Sequence, residues 1–251
     1  MCGICGIIDL QNSFSSEVRN DYVKAMNQAI LHRGPDEAGS YEGDNFALAM
    51  RRLSIIDLST GQQPIFNETQ QIGVFFNGEI YNFEELRADL ISKGHTFKTN
   101  SDTEILVHLY EELGTKMLPK LKGMFAFCIF DLPKKTFFLA RDRFGEKPLY
   151  YIFNDQVFSF SSEIKSLLEN KNIPRKLNLA ALPYYFRTSL LPEPMTMLDG
   201  ILSLPPGHFI QIYQTGIKVE KYFEIEYNID ENIKSEADAI DLIQPVLEQA
   251  V

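Results

Sequence analysis

Cysteine, histidine and positive charge are scarce in this chain, and long apolar runs are missing. Three cysteines in 251 residues cannot all pair among themselves. No basic-then-apolar leader precedes the first of them, so neither a disulfide framework nor secretion is expected. The expected compartment is a reducing cytoplasm. Lys and Arg total 24 against 34 Asp and Glu, a net charge of −10 that opposes a grip on phosphate backbones. The longest apolar runs fall far short of a membrane span. Nucleic acid and membrane are therefore not expected as partners. The four histidines, His32, His95, His108 and His208, show no spacing that marks a metal site or the base of a nucleophile. Each reads as a surface or packing residue, His108 inside an amphipathic helical stretch. Neither an internal repeat nor a low-complexity tract is found. What is present, 45% hydrophobic and 23% charged residues, describes one globular domain or one plus a fragment.

Strand and helix patterns occur in an order that does not alternate regularly. A strand is expected at 4–10, then a helix carrying Val18, Tyr22, Met26, Ala29 and Ile30 that ends before Gly34-Pro35. Strands follow at 46–50, 53–57 and 72–77, with a polar turn from Gly61 to Pro64. Asn82 with Glu85, and Ser101 with Glu104, read as the starts of two helices, the first with Leu86, Leu90 and Ile91 on one face. Gly94 and Gly114 mark their ends. Strands at 124–131, 136–141, 149–153 and 157–161 have hairpin-length connections, which means antiparallel pairing. A short helix at 162–169, another near 179–186, a hairpin turn at 214–216 and a helix at 235–251 containing Pro245 complete the reading. The fold class is α+β, antiparallel sheets covered by helices.

The opening Met1-Cys2-Gly3-Ile4-Cys5-Gly6 places a thiol at the second residue. With Met1 trimmed, Cys2 would carry a thiol and a free α-amine, the latter with a reference pKa of about 7.7–8.0, able to take the thiol's proton unaided. A structural zinc site needs four ligands, and only Cys128 remains, within an apolar strand, so no metal is expected here. A redox pair would sit between a strand and a helix, not inside an N-terminal strand. Asn77-Gly78 stands at a strand end, where a side-chain amide and a backbone N–H together make the two donors that a tetrahedral oxyanion needs. The same pair also makes turns. Arg52, Glu79 and Asp102 are equally open to a bland reading as surface or first-turn charges.

Taken together, eight stretches resemble the class II, N-terminal cysteine glutamine amidotransferases over about residues 2–225. They are Cys2–Gly6, His32–Asp36, Arg52–Asp57, Asn77–Asn82, Ser101–Glu104, Gly123–Phe127, Arg141–Tyr150 and Leu204–His208. The Arg52–Asp57 and Asn77–Asn82 blocks are those of the glutaminase half of glutamine-dependent asparagine synthetase. The resemblance implies the four-layer αββα sandwich of N-terminal nucleophile hydrolases. It implies that Cys2 attacks the side-chain amide of L-glutamine, that Asn77 and Gly78 hold the oxyanion, and that Arg52 takes the substrate's α-carboxylate. Glu79 and Asp102 would take its α-ammonium, and Leu53, Ser54, Ile55 and Ile56 would line the pocket. The chain departs from the pattern at Met50, where the family often has histidine.

The same resemblance implies a division of the chain, with a glutaminase domain at 2–214 and a linker plus the start of a truncated ATP-pyrophosphatase synthetase domain at 215–251. No cofactor is expected for the glutaminase step. ATP and magnesium would belong to the missing half, since the chain has no Ser-Gly-Gly-x-Asp-Ser phosphate loop. A synthetase domain, linked or separate, is the expected partner, with a homodimer left open. Two other readings stay open: amidation of another acceptor, such as a sugar or antibiotic precursor, and a non-catalytic regulatory module. A cysteine hydrolase with a histidine base is a third, and would depend on His32 or His208.

Overall fold

The computed structural model describes residues 2–54, 60–229 and 232–250. In chain order its elements are β1 (Gly3–Asp9), α1 (Ser16–Ala29), β2 (Glu37–Gly43), β3 (Phe46–Arg52), β4 (Ile65–Phe66) and β5 (Ile72–Ile80). Next come α2 (Phe83–Ser92), α3 (Glu104–Leu113), β6 (Gly123–Asp131), β7 (Thr136–Arg141), β8 (Tyr150–Asn154) and β9 (Val157–Ser161). The chain continues through α4 (Ile164–Leu167), α5 (Leu182–Thr188), β10 (Leu202–Ser203), β11 (His208–Tyr213), β12 (Gly216–Lys221) and α6 (Glu236–Ala250).

Two antiparallel six-stranded sheets result, ordered β10-β8-β9-β1-β3-β2 and β12-β11-β7-β6-β5-β4. Side chains alternate across each strand, so every sheet feeds two apolar layers. Ile4, Ile8, Phe75, Phe130, Phe158 and Phe160 meet between the sheets. On the outer face of the first sheet, Cys5, Ile7 and Ala49 pack with Val23 and Met26 of α1 and Leu167 of α4. On the outer face of the second, Val74, Phe76 and Phe127 pack with Leu86 and Leu90 of α2 and with Ile105, Leu106 and Leu109 of α3. Helix, sheet, sheet, helix is the four-layer αββα order expected from the resemblance. Cys128 is wholly buried between the sheets, as its apolar strand implied.

The differences from the sequence reading have local causes. β2 escapes notice because Glu-Ala-Gly-Ser-Tyr-Glu-Gly is a poor strand sequence, yet it pairs with β3 from Glu37↔Arg52 to Gly43↔Phe46 as an edge strand. The strand expected at 53–57 is absent at Leu53 and Ser54, and Ile55, Ile56 and Asp57 lie outside the described residues. Asn82 does not cap α2. Its amide accepts from Lys122 N–H at 3.0 Å and donates to Lys120 O at 3.1 Å, stitching the end of β5 to the start of β6. Ile91 points outward. Ser101 and Glu104 form no capping box either. The Ser101 hydroxyl accepts from Thr103 N–H, while Glu104 reaches back to Lys98 N–H and Thr99 N–H, both at 2.7 Å. The two residues thereby shape the loop that delivers Asp102. The expected division at 214/215 falls in the turn between β11 and β12, whose ladder runs from Tyr213↔Gly216 to His208↔Lys221. α6 continues through Pro245, with its apolar residues exposed.

Candidate active site

β1 runs down the middle of the first sheet between β9 and β3, so the residue preceding it emerges at a fixed point. Gly6 lets the strand pass, because a Cβ there would lie 2.4 Å from Leu48 and 2.7 Å from Phe160. Arg33 then fastens the strand's beginning: its Nε donates to Cys2 O at 2.9 Å, and its Nη1 pairs with Glu163 at 3.1 Å. His32 binds the same Glu163 carboxylate oxygen at 2.8 Å. The Cys2 thiol donates to Leu53 O at 3.7 Å. Burial pushes that thiol above its usual pKa, against the opposing pull of a backbone contact at Leu53 and the Arg52 and Arg33 charges. It is therefore a protonated thiol at neutral pH, in need of a base.

Across from Cys2 lies the unpaired edge of β5 beyond its short contact with β4. Gln63 caps Phe76 there, accepting its N–H at 2.7 Å and donating to its C=O at 3.2 Å. Asp102 caps Ile80, accepting its N–H at 2.9 Å. Gly78 sits between the two. It lies opposite Phe125 in the register, and Phe125 commits its own N–H and C=O to Asp142. By strand alternation the Gly78 N–H therefore points away from β6, to the same open edge as those of Phe76 and Ile80. A Cβ on Gly78 would lie 2.2 Å from Met124 O and 2.7 Å from Phe125 Cα, so no side chain fits. Gly78→Ala is expected to lower Tm by roughly 2–12 °C, as an overpacking cost of roughly 1–3 kcal/mol would do, and to displace the edge it borders. Calorimetry on the two proteins checks this.

Asn77 alternates to the opposite face, the inter-sheet layer that Phe75 fills two residues earlier. It is fully buried, and among the described residues neither its amide nitrogen nor its oxygen has a hydrogen-bond partner. Native interiors pair nearly all buried amides, and this one stands at the cavity wall where it can meet a group that the cavity receives.

The cavity, about 110 Å³ in volume, is lined by Cys2, Arg52, Leu53, Asn77, Gly78, Glu79 and Asp102, with Gln63, Phe76, Ser101, Thr103, Met124 and Lys147. Arg52 is buried and pairs with Glu37 at 2.8 Å. Asp102 is buried too, and burial pushes its carboxyl up; hydrogen bonds from Ile80 and Ser101 resist this and the nearby Glu79 charge adds to it. Two cations, Arg52 and Lys147, and two carboxylates, Glu79 and Asp102, in one small cavity suit a zwitterion. Ser54 is outside this lining, its N–H donating to Asp36 at 2.9 Å. Ile55 and Ile56 lie outside the described residues. Met50 packs between the sheets, apart from the lining.

The sequence reading assigned no role to Lys147 or Gln63. Lys147 belongs to the Arg141–Tyr150 block, which Asp142 folds by accepting four N–H groups, from Phe125, Phe144, Glu146 and Lys147. Arg141 secures that loop through Gly145 O and Lys147 O, both at 2.7 Å. Gln63 was hidden because Gly61–Pro64 reads as a turn.

The sequence profile of the glutamine amidotransferase domain matches residues 1–223. The chain is 39% identical over 247 residues to asparagine synthetase [glutamine-hydrolyzing] 1 of Bacillus subtilis, covering 96% of this chain and 39% of that protein. It is 43% identical over 220 residues to asparagine synthetase [glutamine-hydrolyzing] 2 of the same organism, covering 86% and 29%. It thus spans well under half the length of these curated relatives. Among solved structures, an allosteric regulatory enzyme of purine biosynthesis superposes with TM-score 0.66 at 20% identity, covering 89% of this chain and 50% of that one. The glutamine phosphoribosylpyrophosphate amidotransferase from B. subtilis superposes with TM-score 0.59 at 19% identity, covering 91% and 50%. Both share this fold.

Proposed function

We propose, since this chain belongs to the class II glutamine amidotransferase domain family, that it is the glutaminase unit of a glutamine-dependent asparagine synthetase and hydrolyses L-glutamine to glutamate and ammonia. The observation that carries the reading is the Asn77 side-chain amide, buried beside the Gly78 N–H in the cavity that Cys2 lines. In this mechanism the Cys2 α-amine, once Met1 is removed, takes the thiol proton while Sγ attacks the side-chain carbonyl carbon of glutamine. The oxyanion forms against Asn77 Nδ2 and Gly78 N–H. Collapse breaks the C–N bond, the protonated amine returns its proton to the leaving nitrogen, and ammonia departs from a Cys2 thioester. Water, deprotonated by the same amine, then cleaves the thioester to glutamate and free Cys2.

Arg52 holds the substrate's α-carboxylate, Glu79 and Asp102 its α-ammonium, and Leu53 borders the pocket. The relatives' names support aspartate as the acceptor of the ammonia, in a synthetase part of the protein or a partner that carries it. This chain has no loop suited to pyrophosphate, so ATP and magnesium fall to that part and no step here passes through them. Exposed apolar residues on α5, such as Tyr184 and Phe186, and on α6, such as Ile243 and Val246, support a covering partner domain or a second copy. A division of the chain after the β11–β12 hairpin, with the glutaminase on its N-terminal side, agrees with the profile match to residue 223. Among the described residues no helix is long and apolar enough to cross a membrane. The three free cysteines support a reducing, cytoplasmic location.

Glutamine binding should depend on the charge of Asp102. Because its carboxyl titrates above the ordinary carboxylate value, it loses its charge as pH falls through that raised pKa, and KM for glutamine is expected to rise there. Asp102→Asn keeps an oxygen for Ile80 N–H but removes the charge. It is expected to raise KM about 10–100-fold at neutral pH, a charge-assisted bond being worth roughly 1.5–3 kcal/mol, and to flatten the acid limb. Steady-state glutamate release across pH measures both. An unchanged KM would remove Asp102 from the ammonium site.

A further inference from the structure

Outside the Cys2 cavity the molecule gathers a second group of chemically capable side chains. Glu68 of the β4–β5 turn, His95 from the connection after α2, and His108 and Glu111 of α3 each offer one ligand atom, all within 4.8 Å of one another. The His108 Nδ1 lies 3.3 Å from Glu68 Oε2 and 3.5 Å from Glu111 Oε2. The His95 Nδ1 lies 3.1 Å from Glu68 Oε1 and 4.0 Å from Glu111 Oε2. Four donors around a tetrahedral zinc, each about 2.0–2.2 Å from it, stand roughly 3.3–3.5 Å apart, so the set needs only a small contraction.

Two further observations separate this from a surface ion-pair network. The His108 ring is fully buried, and among the described residues neither of its nitrogens makes a hydrogen bond, although Nδ1 faces both carboxylates. The groups behind the ligands are also in place. Thr96 N–H donates to Glu68 Oε1 at 2.9 Å, and Asn67 Nδ2 donates to Glu111 Oε1 at 2.8 Å. Glu112 stands 3.3 Å from His95 Nε2 and Glu104 3.8 Å from His108 Nε2. The Glu112 carboxylate behind His95 orients that ring and favours the tautomer that frees Nδ1 for a metal, while Glu104 adds negative charge on the far side of His108 without reaching hydrogen-bond distance. The Glu68 and Glu111 side chains keep 31% and 25% exposure, which leaves a way in from solvent.

From this geometry we infer a binding site for a zinc-like divalent transition ion, with His95 Nδ1, His108 Nδ1, Glu68 and Glu111 as ligands. None of the four lines the Cys2 cavity. The ion would tie the β4–β5 turn and the α2–α3 connection to the middle of α3, and has no part in glutamine chemistry. Two imidazoles with two carboxylates suit zinc or cobalt(II) better than a soft ion that prefers thiolate or a hard ion that prefers oxygen alone.

The test uses the untagged Cys2→Ala protein, which lacks the N-terminal aminothiol that would itself chelate metal. Stripped with a chelator and titrated with cobalt(II) alone, it is expected to bind one equivalent and to show the intense visible bands of tetrahedral cobalt without a thiolate charge-transfer band. Zinc should bleach those bands. Glu68→Gln and Glu111→Gln, at partly exposed positions that tolerate an amide, are expected to fold as shown by circular dichroism and to weaken binding at least about tenfold each. His108→Gln should abolish it. Absence of saturable cobalt binding, or an affinity in both glutamine variants unchanged from the Cys2→Ala parent, would overturn the site.

Discussion

Replacing Cys2 by alanine is expected to reduce glutamate release from L-glutamine to background, a loss on the order of 10⁴-fold or more, the scale seen when a hydrolase nucleophile is deleted. The same loss is expected in an otherwise native protein that retains any residue before Cys2. The physical reason is the thiol's surroundings. Among the described residues its hydrogen bond goes to Leu53 O, an acceptor that cannot remove a proton, and burial holds the thiol protonated. His32 is engaged with Glu163, and His208 Nδ1 with Pro206 O at 2.7 Å. That leaves the α-amine of Cys2 as the base in the proposed mechanism. His32→Ala and His208→Ala are accordingly expected to keep glutaminase activity within about tenfold, because neither ring meets the thiol. An assay of the four proteins side by side decides between mechanisms. Loss of turnover in a histidine variant, with full activity despite a residue before Cys2, would replace the amine with an imidazole base.

How much of this was legible beforehand differs by element. Strands with dense apolar or aromatic sequence, such as β6 and β7, showed their positions to within a residue, because burial on both faces leaves an unbroken apolar run. β2 did not, since an edge strand with one wet face and two glycines carries little apolar signal. Asn77 and Gly78 stood out as a strand-end pair, but the turn reading was equally consistent until the register placed Gly78 opposite Phe125. Gln63 was invisible, because its role is to satisfy the backbone of a strand thirteen residues later in the chain. The histidine and glutamate cluster was invisible for a similar reason. Glu68 and His95 are 27 residues apart and meet only when the β4–β5 turn folds over α3. Capping residues misled in an instructive way: Asn82, Ser101 and Glu104 have cap chemistry, yet tertiary partners for the same donors and acceptors won, and two of them serve the loop that presents Asp102.

Asn77→Leu is expected to lower kcat about 10²–10³-fold while leaving the protein as stable as before or more so by roughly 1–3 kcal/mol. The first figure is the cost of removing one oxyanion donor, and the second is the desolvation penalty of a buried polar group without a partner. Leucine is close in shape to asparagine, and the position faces the apolar inter-sheet layer beside Phe75, so the substitution exchanges an unsatisfied amide for contacts of the surrounding kind. Opposite signs in the two readouts are the essential feature. A purely structural asparagine would have hydrogen-bond partners to lose, and its replacement would cost stability without selectively affecting turnover. Urea denaturation gives the stability, and glutamate release at saturating glutamine gives kcat. KM should move little, because the ground-state amide carbonyl presents far less charge to Nδ2 than the tetrahedral oxyanion does. A destabilised Asn77→Leu protein with unaltered kcat would remove Asn77 from the oxyanion site and leave the Gly78 N–H as its remaining donor. The expected outcome instead makes the Asn77 amide a preorganised donor, buried at the cavity wall so that its bond to the substrate oxygen strengthens as the negative charge develops.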